Sequence, residues 1–122
     1  MSLNKLQKFA AIKTMTHVFQ NFSFNHPQLI CNEIPVTMHG KWHESFFKNS
    51  NPIVLELACG RGEYTVNLAR KNPNINYIGI DVKGNRIYTG AQTAIDEGLQ
   101  NVAFIRTPIE QLHHFIAPDE AS

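Results

Sequence analysis

Four residues that could take part in binding chemistry lie close together in the sequence: Glu56, Gly60, Gly62 and Asp81. The two glycines can form a tight turn that lets the backbone approach a ligand closely. Asp81 follows Gly60 by 21 positions, and an acid about 20 residues after a glycine turn is placed to accept hydrogen bonds from ribose hydroxyls. These residues predict a site for a nucleotide-like ligand. The alternative for Asp81 is that it caps the helix that follows it.

The charge of Glu56 narrows the class of ligand. A carboxylate at the end of a buried strand is costly without a partner, and it would repel the pyrophosphate of a dinucleotide bound at the same turn. It suits a ligand with a positive end, such as the amino group of S-adenosyl-L-methionine (SAM). The simpler alternative is an ordinary strand-to-helix turn in which the glutamate binds nearby backbone, because glycine motifs also occur by chance.

Strands and helices that alternate along the chain would position these residues. Apolar runs predict three strands, and helical spacing of apolar residues predicts the helices between them. The strands are predicted at 53–57, 76–82 and 101–106, and the helices at 63–71 and 84–97. Right-handed crossovers place parallel strands of this kind in the order 3-2-1. The pattern predicts an α/β half-fold.

A third helix is predicted after the last strand. Thr107, Pro108 and Glu110 have the spacing of a capping box, with proline at the first helical position. The apolar residues through Ile116 then continue the helix.

The first predicted strand, Ile53 to Leu57, is apolar apart from Glu56. In a complete doubly wound sheet it would have strands on both sides, and a bare apolar edge favours aggregation. The chain is therefore expected to be a truncated piece of a larger enzyme, or to self-associate through this edge.

Composition indicates one globular unit of 122 residues, with 43% hydrophobic and 17% charged residues. The net charge is +1, and residues 1–52 carry five lysines and two acids. That imbalance is compatible with RNA contact but is also typical of solvated surface. We expect residues 1–52 to form an N-terminal helix and an irregular covering segment, and residues 53–122 to form a partial domain. Trp42 could stack on a base, but packing is the commoner role.

The remaining signals exclude several classes of site. The two cysteines provide no disulfide framework. Cys31, His39 and His43 match no standard metal-ligand spacing, so no metal site is predicted. No signal peptide or membrane-spanning segment is evident, which predicts a cytoplasmic protein without a membrane partner.

Three stretches resemble one family: Leu55-Glu-Leu-Ala-Cys-Gly-Arg-Gly-Glu-Tyr-Thr65, Tyr77-Ile-Gly-Ile-Asp-Val82 and Gly98-Leu-Gln-Asn-Val-Ala103. They are similar to the SAM-binding half of bacterial tRNA (guanine-N7-)-methyltransferases. Asn4-Lys-Leu-Gln-Lys-Phe-Ala10 and Gly40-Lys-Trp-His-Glu44 resemble the Bacteroidetes-type branch of that family. The resemblance implies the N-terminal half of a Rossmann-like class I SAM-dependent methyltransferase.

The resemblance also implies roles for individual residues. Glu56, Gly60 and Gly62 match the family's cofactor loop, and Asp81 matches its ribose contact. Ala58 stands where the family usually has the first glycine, which would narrow the loop. Thr107 stands where many members have an acid near the adenine. Adenine recognition is therefore expected to rest on backbone groups around Arg106, Thr107, Pro108 and Ile109.

The implied reaction is methyl transfer from SAM to N7 of a guanine in the variable loop of tRNA. Guanine N7 has no proton to remove, so no catalytic base is needed and no catalytic residue is assigned. The family's guanine and tRNA site has no counterpart in these 122 residues, so the chain is expected to be inactive alone. The alternatives are a SAM-dependent methyltransferase for a small molecule or protein, and a non-catalytic SAM-binding module. A dehydrogenase half-domain is disfavoured by Glu56.

Overall fold

The computed structural model describes residues 3–121 as alternating strands and helices. The helices are α1 (Lys5–Ile12), α2 (Glu63–Lys71) and α3 (Gly84–Glu97). The strands are β1 (Val18–Asn21), β2 (Leu29–Cys31), β3 (Ile34–Val36), β4 (Ile53–Leu57), β5 (Asn76–Asp81) and β6 (Val102–Arg106). A π-helix spans Trp42–Phe47, and a 3-10 helix spans Ile109–His114. No helix among the described residues is both long and apolar enough to cross a bilayer.

The strands form one six-stranded sheet in the order β3-β2-β1-β6-β5-β4. The last three positions are parallel, with Glu56 opposite Gly79 and Asp81 opposite Arg106. The predicted 3-2-1 order of the three later strands is confirmed, as is the α/β class. Because these strands are parallel and in register, their carboxyl ends meet at one edge of the sheet.

The prediction that an irregular covering segment follows the N-terminal helix within residues 1–52 is wrong in part, because three strands form there. β1 pairs in parallel with β6, and β2 and β3 continue the sheet in antiparallel fashion. These strands have only three or four residues, too few for a clear alternating pattern, and their partner strand lies far away in sequence. Pro35 is tolerated because β3 is an edge strand. The division of the chain at residues 52 and 53 stays a prediction; strands from both parts share this sheet.

The opposite edge of the sheet is β4, as predicted. Within the described residues it pairs with β5 alone. Ile53 is fully buried at one end of the strand, whereas Leu57 is 51% exposed at the other. Self-association through this edge stays a prediction.

Each face of the sheet carries a hydrophobic core. The side chains of α1, α2 and α3 pack on one face around Phe104, Ile12, Val66 and Ile87. The π-helix and the C-terminal residues cover the other face, with Trp42 fully buried. The Trp42 Nε1 atom donates to the carbonyl of Phe115 at 2.8 Å, so this residue packs in the core and is not available for base stacking.

A buried carboxylate ties the C-terminal residues to the segment before the π-helix. The Glu120 side chain accepts hydrogen bonds from the backbone N–H groups of Gly40 (2.8 Å), Trp42 (2.8 Å) and Ala117 (2.9 Å). These charge-assisted bonds hold both segments against the same core.

The third helix differs from its prediction. It is a short 3-10 helix that begins after Pro108, and no side chain caps it. The hydroxyl of Thr107 instead accepts a hydrogen bond from Asn21 Nδ2 at 3.2 Å. The capping-box prediction is therefore wrong, because a contact with β1 uses the hydroxyl that would have capped the helix.

Candidate functional site

The turn between β4 and α2 contains three residues in the left-handed backbone conformation, at every second position. Ala58, Gly60 and Gly62 have φ values of 57°, 58° and 75°. The N–H of Cys59 donates to the carbonyl of Ile80 at 2.8 Å, and the N–H of Gly62 donates to the carbonyl of Cys59 at 3.0 Å. The turn is thus fastened to β5 and directs the chain into α2.

The two glycines of the turn serve different purposes. A Cβ on Gly62 would lie 2.7 Å from Phe104 Cε1, so Gly62 is required for the packing of the turn on the core. No atom of the described chain beyond its neighbours lies within 4 Å of a Cβ built on Gly60. Gly60 therefore leaves open space above the turn, where a ligand could approach the backbone.

Ala58 occupies a left-handed backbone position that favours glycine. An L-residue with a Cβ pays roughly 1–2 kcal/mol for this conformation. Ala58 is also one of the residues that line the pocket described below. The sequence-based expectation that Ala58 narrows the loop stays a prediction.

Asp81 at the end of β5 connects the turn to α3. It is only 5% exposed, and its Oδ2 accepts from the Gly60 N–H at 2.8 Å while its Oδ1 accepts from the Lys83 N–H at 2.9 Å. The N-cap residue of α3 is Lys83 and not Asp81. Asp81 stabilises the start of the helix by accepting from the N–H of that N-cap residue. A carboxylate has about four lone-pair sites, and these two bonds leave capacity for ligand hydroxyls.

A pocket of about 350 Å³ opens at the carboxyl ends of β5 and β6. This volume is within the range of small-molecule sites. Five predicted site residues line it: Ala58, Asp81, Thr107, Pro108 and Ile109. Three further lining residues, Val82, Arg86 and Glu110, were not predicted.

Those three residues left only weak signals in the sequence. Val82 directly follows Asp81 and was assigned to the strand, although it is 55% exposed. Glu110 was assigned to the capping box that does not form. Arg86 lies in the first turn of α3, where its distance from Asp81 could have suggested a position at the same edge.

Two other predicted residues lie elsewhere in the structure. Arg106 does not line the pocket: its guanidinium lies 5.3 Å from the ring centroids of both Phe9 and Phe22. It also donates to Gln20 Oε1 at 3.4 Å, and burial lowers its pKa. Glu56 is half-buried on the edge strand β4, beside the turn but outside the pocket lining.

The thiol of Cys59 sits within the turn, beside Gly79. Burial, with the nearby carboxylates of Asp81 and Glu56 adding to it, raises the pKa of Cys59 to about 12. A thiol with such a pKa stays protonated at neutral pH, so Cys59 acts as a small packing residue.

The sequence and structure are similar to those of known methyltransferases. A family model described as putative methyltransferase matches residues 50–122. A tRNA (guanine-N(7)-)-methyltransferase from Bacteroides fragilis is 50% identical over 122 residues, which are all of this chain and 46% of that protein. The corresponding protein from Christiangramia forsetii is 52% identical over 121 residues, which are 99% of this chain and 52% of that protein.

One solved structure supports the same fold. It is described as an antibiotic related methyltransferase, and it is 25% identical with a TM-score of 0.52, covering 58% of this chain and 37% of its own. The chain spans about half the length of the curated relatives it matches.

Proposed function

Because this chain belongs to the putative methyltransferase family, we propose that it is the cofactor-binding half of a tRNA (guanine-N7-)-methyltransferase. The names of its relatives support the substrate. The observation that carries the cofactor assignment is the pocket beside the glycine turn, with Asp81 at its floor. A protein that modifies tRNA works where tRNA is found, so a cytoplasmic location belongs to the same proposal.

The pocket residues fit the adenosine part of SAM. The Asp81 carboxylate supplies acceptors for the ribose hydroxyls. Val82 and Ile109, which are 55% and 44% exposed, supply apolar surface for the two faces of a purine ring. Large apolar side chains that remain exposed inside a pocket are typical of a surface that a ligand covers.

The glycine turn would receive the methionine part of the cofactor. The open space above Gly60 admits the ligand close to the backbone. Glu56, at the end of the neighbouring strand, supplies a negative charge for the ligand's amino group. Gly62 contributes indirectly, because its lack of a side chain lets the turn pack on Phe104.

SAM supplies a methyl group on a positively charged sulfur, and the guanine N7 lone pair takes that methyl group without loss of a proton. The protein therefore needs no general base, and its contribution is to hold the two reactants in line. In this half of the enzyme, Asp81, the glycine turn and the apolar pocket walls fix the donor. No catalytic residue is proposed within this chain.

We expect the chain alone to bind the cofactor weakly and not to methylate tRNA. A site at the switch point of an open α/β sheet uses strands on both sides of it. Among residues 3–121, β4 has a neighbouring strand on one side only. The uncovered edge also predicts self-association, which sedimentation at increasing protein concentration would reveal.

The test has two parts. Calorimetry with S-adenosylhomocysteine, the demethylated product of SAM, should show binding that Asp81→Ala weakens. Incubation of unmodified tRNA with SAM and the full-length Bacteroides fragilis relative should yield 7-methylguanosine, while this chain alone should yield none. Failure of S-adenosylhomocysteine to bind at millimolar concentration would overturn the cofactor assignment. Methylation by this chain at the relative's rate would overturn the expectation that it is half of a site.

A further inference from the structure

A second, smaller pocket adjoins the first at the carboxyl end of β1. Its volume is about 220 Å³, and it shares Val82, Thr107 and Pro108 with the first pocket. Five more residues complete its lining, four of them consecutive at the end of β1 and directly after it: Asn21, Phe22, Ser23, Phe24 and Arg106. The two pockets therefore have one wall in common.

Buried amide side chains hold the segment after β1 in place. Asn21 Oδ1 accepts from the Ser23 N–H at 3.2 Å, and Gln111 Nε2 donates to the carbonyl of Phe24 at 2.6 Å. Asn21 Nδ2 also donates to Gln111 Oε1 at 2.8 Å. Because both amides are buried, the segment is fixed to the 3-10 helix and is not a free loop.

Two phenylalanine side chains of this fixed segment nevertheless remain in solvent. Phe22 is 57% exposed and Phe24 is 63% exposed, and neither belongs to the hydrophobic core on either face of the sheet. A rigid segment that presents two large apolar rings at the lining of a pocket is typical of a surface that a partner covers.

Arg106 gives the second pocket a positive charge. Its guanidinium lies 5.3 Å from the ring centroids of Phe9 and Phe22, and these cation–π contacts hold it in place. Its hydrogen bonds are long, 3.3 Å from Nε to the Val82 carbonyl and 3.4 Å from Nη1 to Gln20 Oε1. Neither of the two ion pairs within residues 3–121 includes Arg106. It is the one charged residue in the described lining, so this pocket suits an anion beside an aromatic ring.

A nucleotide of RNA combines these two features. Its phosphate is an anion that arginine binds well, and any base has a flat face that stacks on an aromatic side chain. We propose that the second pocket binds a nucleotide of the substrate tRNA, with Arg106 donating to the phosphate and the base stacked on Phe24. The inference rests on the proposed function, which supplies tRNA as the substrate.

This nucleotide is not the guanine that receives the methyl group. The proposed place of the cofactor's methionine part is the turn after β4, and β1 lies three positions from β4 in the sheet. Neighbouring strands lie about 4.8 Å apart, which separates β1 from β4 by about 14 Å. Successive nucleotides of a strand rise by about 3.4 Å, so the two places take different nucleotides. The second pocket therefore positions the tRNA and takes no part in the methyl transfer itself.

The phosphate contact is tested by titrating fluorescently labelled, unmodified tRNA with this chain, with anisotropy as the readout, between about 50 and 200 mM salt. One phosphate contact contributes about 0.7–0.9 to the slope of log K against log salt concentration. Arg106→Gln should lower the magnitude of the slope by about that amount, whereas Arg106→Lys keeps the charge and should keep the slope. Lys71→Gln is the matched control, because Lys71 is an exposed cation in the last turn of α2 and lines neither pocket. It should leave the slope unchanged.

The base contact is tested at Phe24 in the same assay. Phe24→Ala and Phe24→Leu should each weaken tRNA binding by about tenfold, or about 1.4 kcal/mol, which is in the range of one base stacked on an aromatic side chain. Phe24→Tyr keeps the ring and should bind like the parent. Leucine is apolar but has no π-face, so this variant distinguishes base stacking from burial against an apolar protein surface. Ile34→Ala is the control, because Ile34 is 58% exposed on β3 and lines neither pocket.

Binding of S-adenosylhomocysteine to each variant separates the possible results. The Phe24 variants should bind it like the parent, which shows that they are folded. An unchanged salt slope in Arg106→Gln, or parent-like tRNA binding by Phe24→Leu, overturns the inference and leaves the proposed function standing. The same holds if the parent chain binds S-adenosylhomocysteine but no tRNA. If Phe24→Ala weakens S-adenosylhomocysteine binding as much as tRNA binding, the second pocket belongs to the cofactor and the inference is again overturned.

Discussion

The amino and carboxyl ends of the parallel strands use similar polar residues in opposite ways. At the amino ends, Asn101 Nδ2 donates to the carbonyls of Ala69 (3.0 Å), Asn72 (3.1 Å) and Ile75 (2.9 Å). Asn76, at the start of β5, donates to Asn49 Oδ1 at 2.7 Å. Side chains there close the loops, and the protein satisfies its own backbone.

At the carboxyl ends, the same kind of network stops short of closure. Asp81 and Asn21 hold the turns in place, but Glu110 and Arg86 face a pocket without a partner in the described chain. The difference teaches that polar side chains alone do not mark a site. The informative feature is a polar group that is held at the edge of a cavity with hydrogen-bonding capacity left over.

The largest effect on stability is expected at the amino ends of the parallel strands, where side chains bind the loops. Asn101→Ala removes the two N–H donors of an amide that three backbone carbonyls share. A hydrogen bond is worth about 1 kcal/mol, and a carbonyl left without a partner adds to the cost. We expect the free energy of unfolding, measured by urea denaturation, to fall by about 3 kcal/mol, with the affinity for S-adenosylhomocysteine unchanged under native conditions. If Asn101→Ala lowered the affinity for S-adenosylhomocysteine by as much free energy as it lowered stability, the contrast between the two ends of the strands would fail. The amino ends would then also contribute to ligand binding.

The next largest effect is expected on ligand binding, at the carboxyl ends of the parallel strands. Asp81→Ala removes a charged acceptor from the pocket floor and should weaken S-adenosylhomocysteine binding by about 1.5–3 kcal/mol, as measured by calorimetry. Asp96→Ala is the control, because Asp96 is an exposed acid of α3 whose partner is Gln92 in the same helix. An unchanged dissociation constant in Asp81→Ala would remove this residue from the site.

A smaller effect is expected at Thr107. Thr107→Ala should lower the free energy of unfolding by about 1 kcal/mol, because Asn21 loses an acceptor and not because a helix loses its cap. A double-mutant cycle with Asn21→Ala distinguishes the two causes. Coupling between the two substitutions supports the contact, whereas additive effects would mean that the hydroxyl acts without Asn21.

The smallest effect concerns the mouth of the turn. Ala58→Gly relieves a left-handed alanine but makes the unfolded chain more flexible. We expect a net stabilisation of up to about 1 kcal/mol in thermal unfolding. Lys48→Gly, at a φ of 58° after the π-helix, serves as a reference outside the pocket. If Ala58→Gly destabilises while Lys48→Gly stabilises, the methyl group of Ala58 makes contacts that sharpen the shape of the pocket.

Local patterns predicted the local parts of this fold well. The bounds of α2 and α3 followed from the helical spacing of apolar residues, and the order of β4 to β6 followed from right-handed crossovers. The three N-terminal strands were missed because each is short and is stabilised by partners distant in sequence.

In the candidate site, too, contacts between residues distant in sequence could not be predicted. Asp81 and the turn were predicted because they follow their strands directly. The N-cap role expected of Thr107 was wrong because the partner of its hydroxyl, Asn21, is 86 residues away. Backbone groups around Arg106 were expected near the adenine, and this stays a prediction. The Arg106 guanidinium lies 5.3 Å from the rings of both Phe9 and Phe22, which belong to α1 and to the residue after β1. No local pattern specifies those contacts.

The pairing of β1 with β6 has a consequence for synthesis on the ribosome. β1 pairs with β2 on one side and forms its parallel ladder with β6 on the other, so its second side has no partner until residues 102–106 have emerged from the exit tunnel. Until then Phe19 and Leu29, both buried in the finished core, remain in contact with solvent or with a chaperone. Contacts of such long sequence separation form slowly. The hairpin of β1 and β2 is therefore expected to be the last part of the sheet to resist a protease during translation, although it is made before β4, β5 and β6.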